Sequence, residues 1–85
     1  GGEMENKRIA VAAIVIDEQS AAVEVNNVLH EYSDIIIGRM GIPYKERGIS
    51  LISVALDAEP DVISSLTGRL GQIQGVSVKA AISKK

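Results

Sequence analysis

The order of apolar and polar positions divides the chain into six segments. Lys7 to Ile16, KRIAVAAIVI, is apolar at nearly every position and rich in β-branched residues, the pattern of a strand covered on both faces. From Asp17 to Ser33 the apolar residues fall at Ala21, Ala22, Val25, Val28, Leu29 and Tyr32, one stripe of a helix with Glu24, Asn27 and Glu31 largely off it. Asp17 or Ser20 is expected to cap this helix, and Glu18 adds a favourable charge to its first turn. Ile35 to Tyr44 and Gly48 to Leu56 read as two strands joined by the short polar linker Lys45-Glu46-Arg47-Gly48, hence an antiparallel hairpin. Pro43 lacks an amide proton and belongs at a strand end or on an edge. A second helix starts after Asp57, with Asp57 or Glu59 as cap, Pro60 in the first helical position and Asp61 complementing the dipole. Its stripe is Val62, Ile63, Leu66 and Leu70. Gly71 is expected to end it in a left-handed turn, and Gly68 to mark close packing on a sheet. In the last segment, Val76 to Ile82, Val76, Val78, Ala80 and Ile82 face one way and Ser77, Lys79 and Ala81 the other.

The resulting order, β-α-β-β-α-β, predicts an α+β ferredoxin-like sandwich: a four-stranded antiparallel sheet with two helices on one face. It is expected to occupy residues 7–83 as one domain. Residues 1–6 read as a disordered N-terminal segment, with Met4 as the natural initiator and Gly1 and Gly2 left over from expression. If both helices lie on one face, the other is bare. Yet the first strand is apolar on both sides, with Ile9, Val11, Ala13 and Val15 against Ala10, Ala12, Ile14 and Ile16. The third behaves likewise, Ile49 and Leu51 opposing Ile52, Val54 and Leu56. An exposed apolar patch of that kind marks an interface. A homo-oligomer, dimer or tetramer, is therefore expected; the alternative is a two-sided pattern softened by Ala and Ser and tolerated in a monomer.

Composition narrows the function classes. A chain of 85 residues buries only roughly 60–65% of the surface its unfolded form exposes, so its core is thin. It has no cysteine, which removes disulfides, thiolate metal sites and cysteine nucleophiles together. Aromatic residues are limited to Tyr32 and Tyr44, and the formal net charge is -2, too mild for a nucleic-acid or anionic-membrane partner. No apolar run approaches the ~20 residues that span a bilayer. A cytoplasmic location is the default expectation.

Candidate chemistry is sparse. His30 is the one histidine, and a metal site wants about four ligands. It reads as a boundary residue of the first helix or, more remotely, as part of a metal site shared across a symmetric interface. None of the serines sits in a nucleophile elbow. The carboxylates at Asp17-Glu18 and at Asp57, Glu59 and Asp61 open helices, where negative charge is structurally favoured. The segment GRMGIPYKERG lies on a hairpin and lacks the Gly-Lys-Ser/Thr ending of a phosphate loop. No catalytic residue or cofactor is expected, and the chain is not expected to be an enzyme. Arg39, Tyr44, Lys45 and Arg47 do gather polar and cationic groups around the hairpin. Arg39, Tyr44 and Arg47 are the candidate ligand-binding residues, the alternative being a solvated turn with a symmetric ion-pair interface.

Three stretches, KRIAVAAIVID, HEYSDIIIGRMGIPYKERGISLISVALDA and LTGRLGQIQGVSVKAAIS, together resemble the small family of regulators assigned to the iron-only hydrogenase system. The likeness runs from Met4 onward. It implies a ferredoxin-like fold related to ACT domains and to the C-terminal domain of nickel-responsive regulators. Those relatives oligomerise by their sheets and bind amino acids or metal ions at subunit interfaces. The several histidines and the cysteine that nickel-responsive regulators use have no counterpart beside His30, and no DNA-binding ribbon-helix-helix segment stands in this sequence. Nickel sensing and direct DNA binding are therefore not carried over. Asp17-Glu18-Gln19 stands where many amino-acid-binding ACT domains have a glycine. The expectation is a homo-oligomeric sensing or regulatory module with a small ligand at a subunit interface; the alternative is an adaptor that docks on another protein without one.

Overall fold

The computed structural model of the chain describes residues 6–85. The reading of Gly1, Gly2 and Met4 lies outside the described residues. Strand β1 (Arg8–Ile16), helix α1 (Ala22–Glu31), strands β2 (Ile36–Tyr44) and β3 (Ile49–Ala58), helix α2 (Pro60–Gly71) and strand β4 (Val76–Ile82) follow in the predicted order. The sheet is antiparallel throughout, in the order β2-β3-β1-β4, and the fold is ferredoxin-like.

Strand alternation decides which side chains meet the helices. Ala10, Ala12, Ile14 and Ile16 of β1 and Ile52, Val54, Leu56 and Ala58 of β3 are all buried. Val25, Val28 and Leu29 of α1 and Ile63, Leu66 and Leu70 of α2 join them in one core. These are the helical stripes read from the spacing. The small side chains of Ala10 and Ala12 let the helix layer sit close on β1.

The helix ends depart from expectation. The chain from Gln19 to Ala21 is a 3-10 turn, and neither Asp17 nor Ser20 caps α1 through its side chain. The Asp17 amide donates instead to the Gly75 carbonyl at 2.7 Å, and Ala21 N–H donates to the Glu18 carbonyl at 2.9 Å. For the Ala21 amide a backbone carbonyl thus replaces the expected side-chain cap. A second 3-10 turn, Ser33–Ile35, closes the helix before Ser33 and moves the start of β2 to Ile36. Pro60 takes the first position of α2 and Glu59 is its N-cap, but by its carbonyl, which accepts from Val62 and Ile63, not by its carboxylate.

Gly71 stays helical, and the left-handed residue is Gly75, at φ 82°. The chain first has to bring Ile73 into the core, where it is buried, so the reversal into β4 comes four residues later. Gly68 is not packed on the sheet: a Cβ there would meet nothing within 4 Å. Gly68→Ala is accordingly expected to stabilise the fold by about 0.5–1 kcal/mol, the usual difference between the two residues inside a helix. A lowered midpoint in thermal denaturation would mean that α2 is closer to a neighbour than this geometry states.

In β2 the two glycines behave differently. The register slips between Ile36 and Gly38, a bulge, while Gly41 pairs regularly with Ile52. Pro43 lies on an edge strand, where its missing N–H breaks no inner ladder. β3 continues two residues beyond its predicted end because Ala58 packs into the core.

Candidate functional site

With both helices on one side, the opposite face of the sheet carries Ile9, Val11, Ala13 and Val15 of β1, Ile49, Leu51, Ser53 and Ala55 of β3, and Met40, Ile42 and Tyr44 of β2. Cross-strand partners point to the same side, and the pairs Val15↔Leu51, Leu51↔Ile42 and Tyr44↔Ile49 put these residues in adjoining rows. Ile9, Val11, Met40, Ile42, Tyr44 and Leu51 are between 40% and 64% exposed. A shallow depression of about 220 Å³ between Val15, Met40, Ile42 and Leu51 is almost wholly apolar. On the β4 side the face turns polar at Ser77 and Lys79, opposite Val15 and Ala13. The apolar region is therefore centred on β3 with Lys79 at its rim.

The residues singled out on the hairpin do not converge within one chain. Arg39 pairs with Val54, which is buried on the helix side, whereas Tyr44 pairs with Ile49 on the bare side. The two side chains leave opposite faces of β2, as the odd spacing between positions 39 and 44 requires in a regular strand. Arg39 reaches the flank of α1, where its Nη2 donates to Asn26 Oδ1 at 2.7 Å. Arg47 lies in the 3-10 turn Lys45–Arg47, which Gly48 closes at φ 64°. Gln19 braces that turn from the start of α1 by donating to the Gly48 carbonyl at 3.0 Å. His30 is exposed near the end of α1. Among the described residues no three His, Asp or Glu side chains stand close enough to hold a metal ion.

One polar cluster was not visible in the sequence. Arg69 of α2 donates to both carboxylate oxygens of Glu31 of α1, at 2.9 and 3.1 Å, and its guanidinium lies 5.6 Å from the centre of the Tyr32 ring. The Tyr32 hydroxyl meets Ser65 Oγ at 2.7 Å. The cluster ties the two helices at their outer edge, and nothing in the spacing of positions 31 and 69 announces it. The hydrogen bonds from Arg69, followed by its charge, hold the Glu31 carboxyl below its ordinary value of 4.5. A group whose folded value is depressed adds stability above its unfolded value and loses it as the pH falls through the folded one. Acid should therefore weaken the fold partly through Glu31. Because the pair is exposed the effect is small. Glu31→Gln should narrow the difference between thermal midpoints at about pH 6 and about pH 3. An unchanged difference would remove Glu31 from the acid response.

Residues 8–80 match the sequence model of the TM1266-like family, described as "Iron-only hydrogenase system regulator, putative". The chain belongs to this family. The protein TM1266 of Thermotoga maritima is 39% identical, and the alignment covers 92% of this chain and 99% of that one with a TM-score of 0.88. A Saccharolobus islandicus protein named "Putative nickel-responsive regulator" is 32% identical over 63 residues, 74% of this chain and 47% of that protein. The chain thus matches about half the length of these curated relatives. The ACT domain of GTP pyrophosphokinase from Chlorobium tepidum superposes with a TM-score of 0.63 at 17% identity over 94% of this chain and 90% of the domain, a likeness of fold. The family and the names of its relatives are those of regulators. No helix among the described residues is long and apolar enough to cross a membrane.

Proposed function

We propose that the chain is a regulatory module that works as a homo-oligomer, built by burying the bare apolar face of the sheet against a second copy. The observation that carries this reading is the set of half-exposed Ile9, Val11, Met40, Ile42, Tyr44 and Leu51 on a face that no helix covers, with Asp57 beside Ile9 at one end. A flat sheet face is suited to isologous pairing, since the same patch meets itself about a two-fold axis. With the apolar region centred on β3, Lys79 falls at the rim and stays hydrated. Tyr44 and Arg47, at the hairpin end, then stand at the edge of the subunit interface, where residues of two copies build a cleft for a small effector. The family's regulator description supports a binding role over a catalytic one. The metal in the name of the Saccharolobus relatives is not part of this proposal, because among the described residues His30 belongs to no group of three His, Asp or Glu side chains that could hold a metal ion.

The test is the solution mass by light scattering from high to low micromolar concentration. A dimer or tetramer that persists through the dilution is the expected result. A monomer at every concentration would overturn the reading and leave the face as a docking surface for a different protein.

A further inference from the structure

We infer that the recess between α1 and the edge strand β2, on the helix side of the sheet, binds a small organic carboxylate with a short apolar body. This adds to the regulatory reading a ligand site distinct from the cleft at the hairpin end, and rests on that reading only for the use made of binding. The recess has a volume of about 270 Å³ and is lined by Ile16, Ala22, Asn26, Arg39, Gly41 and Ile52, among others. It opens on the face opposite the proposed subunit interface and is bordered at the strand edge by Ile42 and Leu51, whose side chains point to that interface.

Three observations point to a ligand. Gly41 faces the helix side, paired with the buried Ile52, where a core-facing side chain would ordinarily stand. Its φ is not positive, and a Cβ added there would meet only the Leu51 carbonyl, at 3.9 Å. Neither the backbone nor crowding therefore asks for glycine, although glycine weakens a strand. What its missing side chain creates is open space over Ile52. Next, Arg39 at one end of this space is oriented by its bond to Asn26 and forms no ion pair among the described residues. A guanidinium has five N–H donors in a planar fork, so most remain for a planar anion. Finally, apart from Arg39, Asn26 and Ser50 the lining is apolar. One cation at the end of an apolar recess is complementary to a carboxylate attached to a short hydrocarbon group. At about 270 Å³ the recess is of a size for a small molecule.

The inference is tested by following backbone amide NMR signals while isovalerate, isovaleramide or inorganic phosphate is added. Isovalerate should give saturable shifts at Ala22, Gly41 and Ser50, with isovaleramide and phosphate at least about tenfold weaker, the loss expected when a charge-assisted pair or the apolar contact is missing. Arg39→Gln should weaken isovalerate by a similar factor. Gly41→Val should abolish the shifts with its thermal midpoint kept or raised, since valine suits a strand and fills the recess. Equal binding of isovalerate and isovaleramide, or undiminished binding by Gly41→Val, would overturn the site. So would phosphate binding as tightly as isovalerate, or no saturable shift up to roughly tens of millimolar. Light scattering on the same samples separates the two proposals. A monomer that binds isovalerate retains the site without the assembly, and an oligomer that ignores it retains the assembly without the site.

Discussion

In the proposed homo-oligomer, Leu51→Glu is expected to release the monomer while leaving its fold intact. Leu51 sits in the middle of the bare face, between Val15 on one neighbouring strand and Ile42 on the other. Six large apolar side chains on that face are 40–64% exposed, and covering such half-exposed groups contributes about 4–9 kcal/mol per copy. Two copies therefore offer roughly 8–18 kcal/mol against an association cost of about 4–15 kcal/mol. Assembly through this face therefore needs the patch uninterrupted. A carboxylate at its centre is desolvated without a partner, and the two-fold axis brings its copy close, so the cost is several kcal/mol. At about 3–4 kcal/mol the dissociation constant rises by roughly two to three orders of magnitude. Light scattering should then report the monomer mass at concentrations where the unsubstituted protein is assembled. Because Leu51 is already 40% exposed within one chain, circular dichroism should show an unchanged fold. A variant that stays assembled would place the interface elsewhere, on the free edge of β2 or β4.

Gly75→Ala should cost more stability than any other glycine substitution in the described chain. Gly75 lies at φ 82°, where a side chain costs about 1–2 kcal/mol. Its added Cβ would also fall 2.6–2.8 Å from the Oε2, Cβ and Cγ atoms of Glu18. The Oε2 end can swing away, but the Glu18 Cβ moves only with its backbone. That backbone adjoins Asp17, whose amide is bonded to the Gly75 carbonyl. Crowding of this kind adds about 1–3 kcal/mol. For a domain of this size the sum lowers the thermal midpoint by on the order of 10–30 °C. Gly48→Ala is the internal comparison, since Gly48 shares a positive φ, at 64°, but its Cβ would meet nothing within 4 Å. It should lose only the conformational part, about 1–2 kcal/mol. Equal losses at Gly48 and Gly75 in calorimetry would show that Glu18 yields freely and that the crowding carries no weight.

The fold was legible because its signals are local. The three- and four-residue spacing of Val25, Val28, Leu29, Ile63, Leu66 and Leu70 marks a helical face whatever the helix packs against, and all six are buried. The alternation in β1 and β3 separates two apolar faces before it is known which one the helices cover. Pro60 starts α2 and Pro43 lies on an edge because a missing N–H restricts both residues in any context. The helix caps were less legible, since a 3-10 turn gives the Ala21 amide the Glu18 carbonyl and leaves Asp17 and Ser20 without a capping role.

Local pattern alone sets the elements, their order and the presence of a second apolar sheet face. Periodicity and punctuation act over a few residues, and they constrain each element before it meets another. Which residues meet across long separations depends on how the elements pack. That packing turned Arg39 and Tyr44 to opposite sides of the sheet, brought Asn26 to Arg39 and Arg69 to Glu31, and moved the left-handed turn from Gly71 to Gly75. It also left Gly41 over open space and Gly68 without a neighbour. Register and the seating of the helices on the sheet set these juxtapositions, and both come from packing the whole core, which no local spacing encodes.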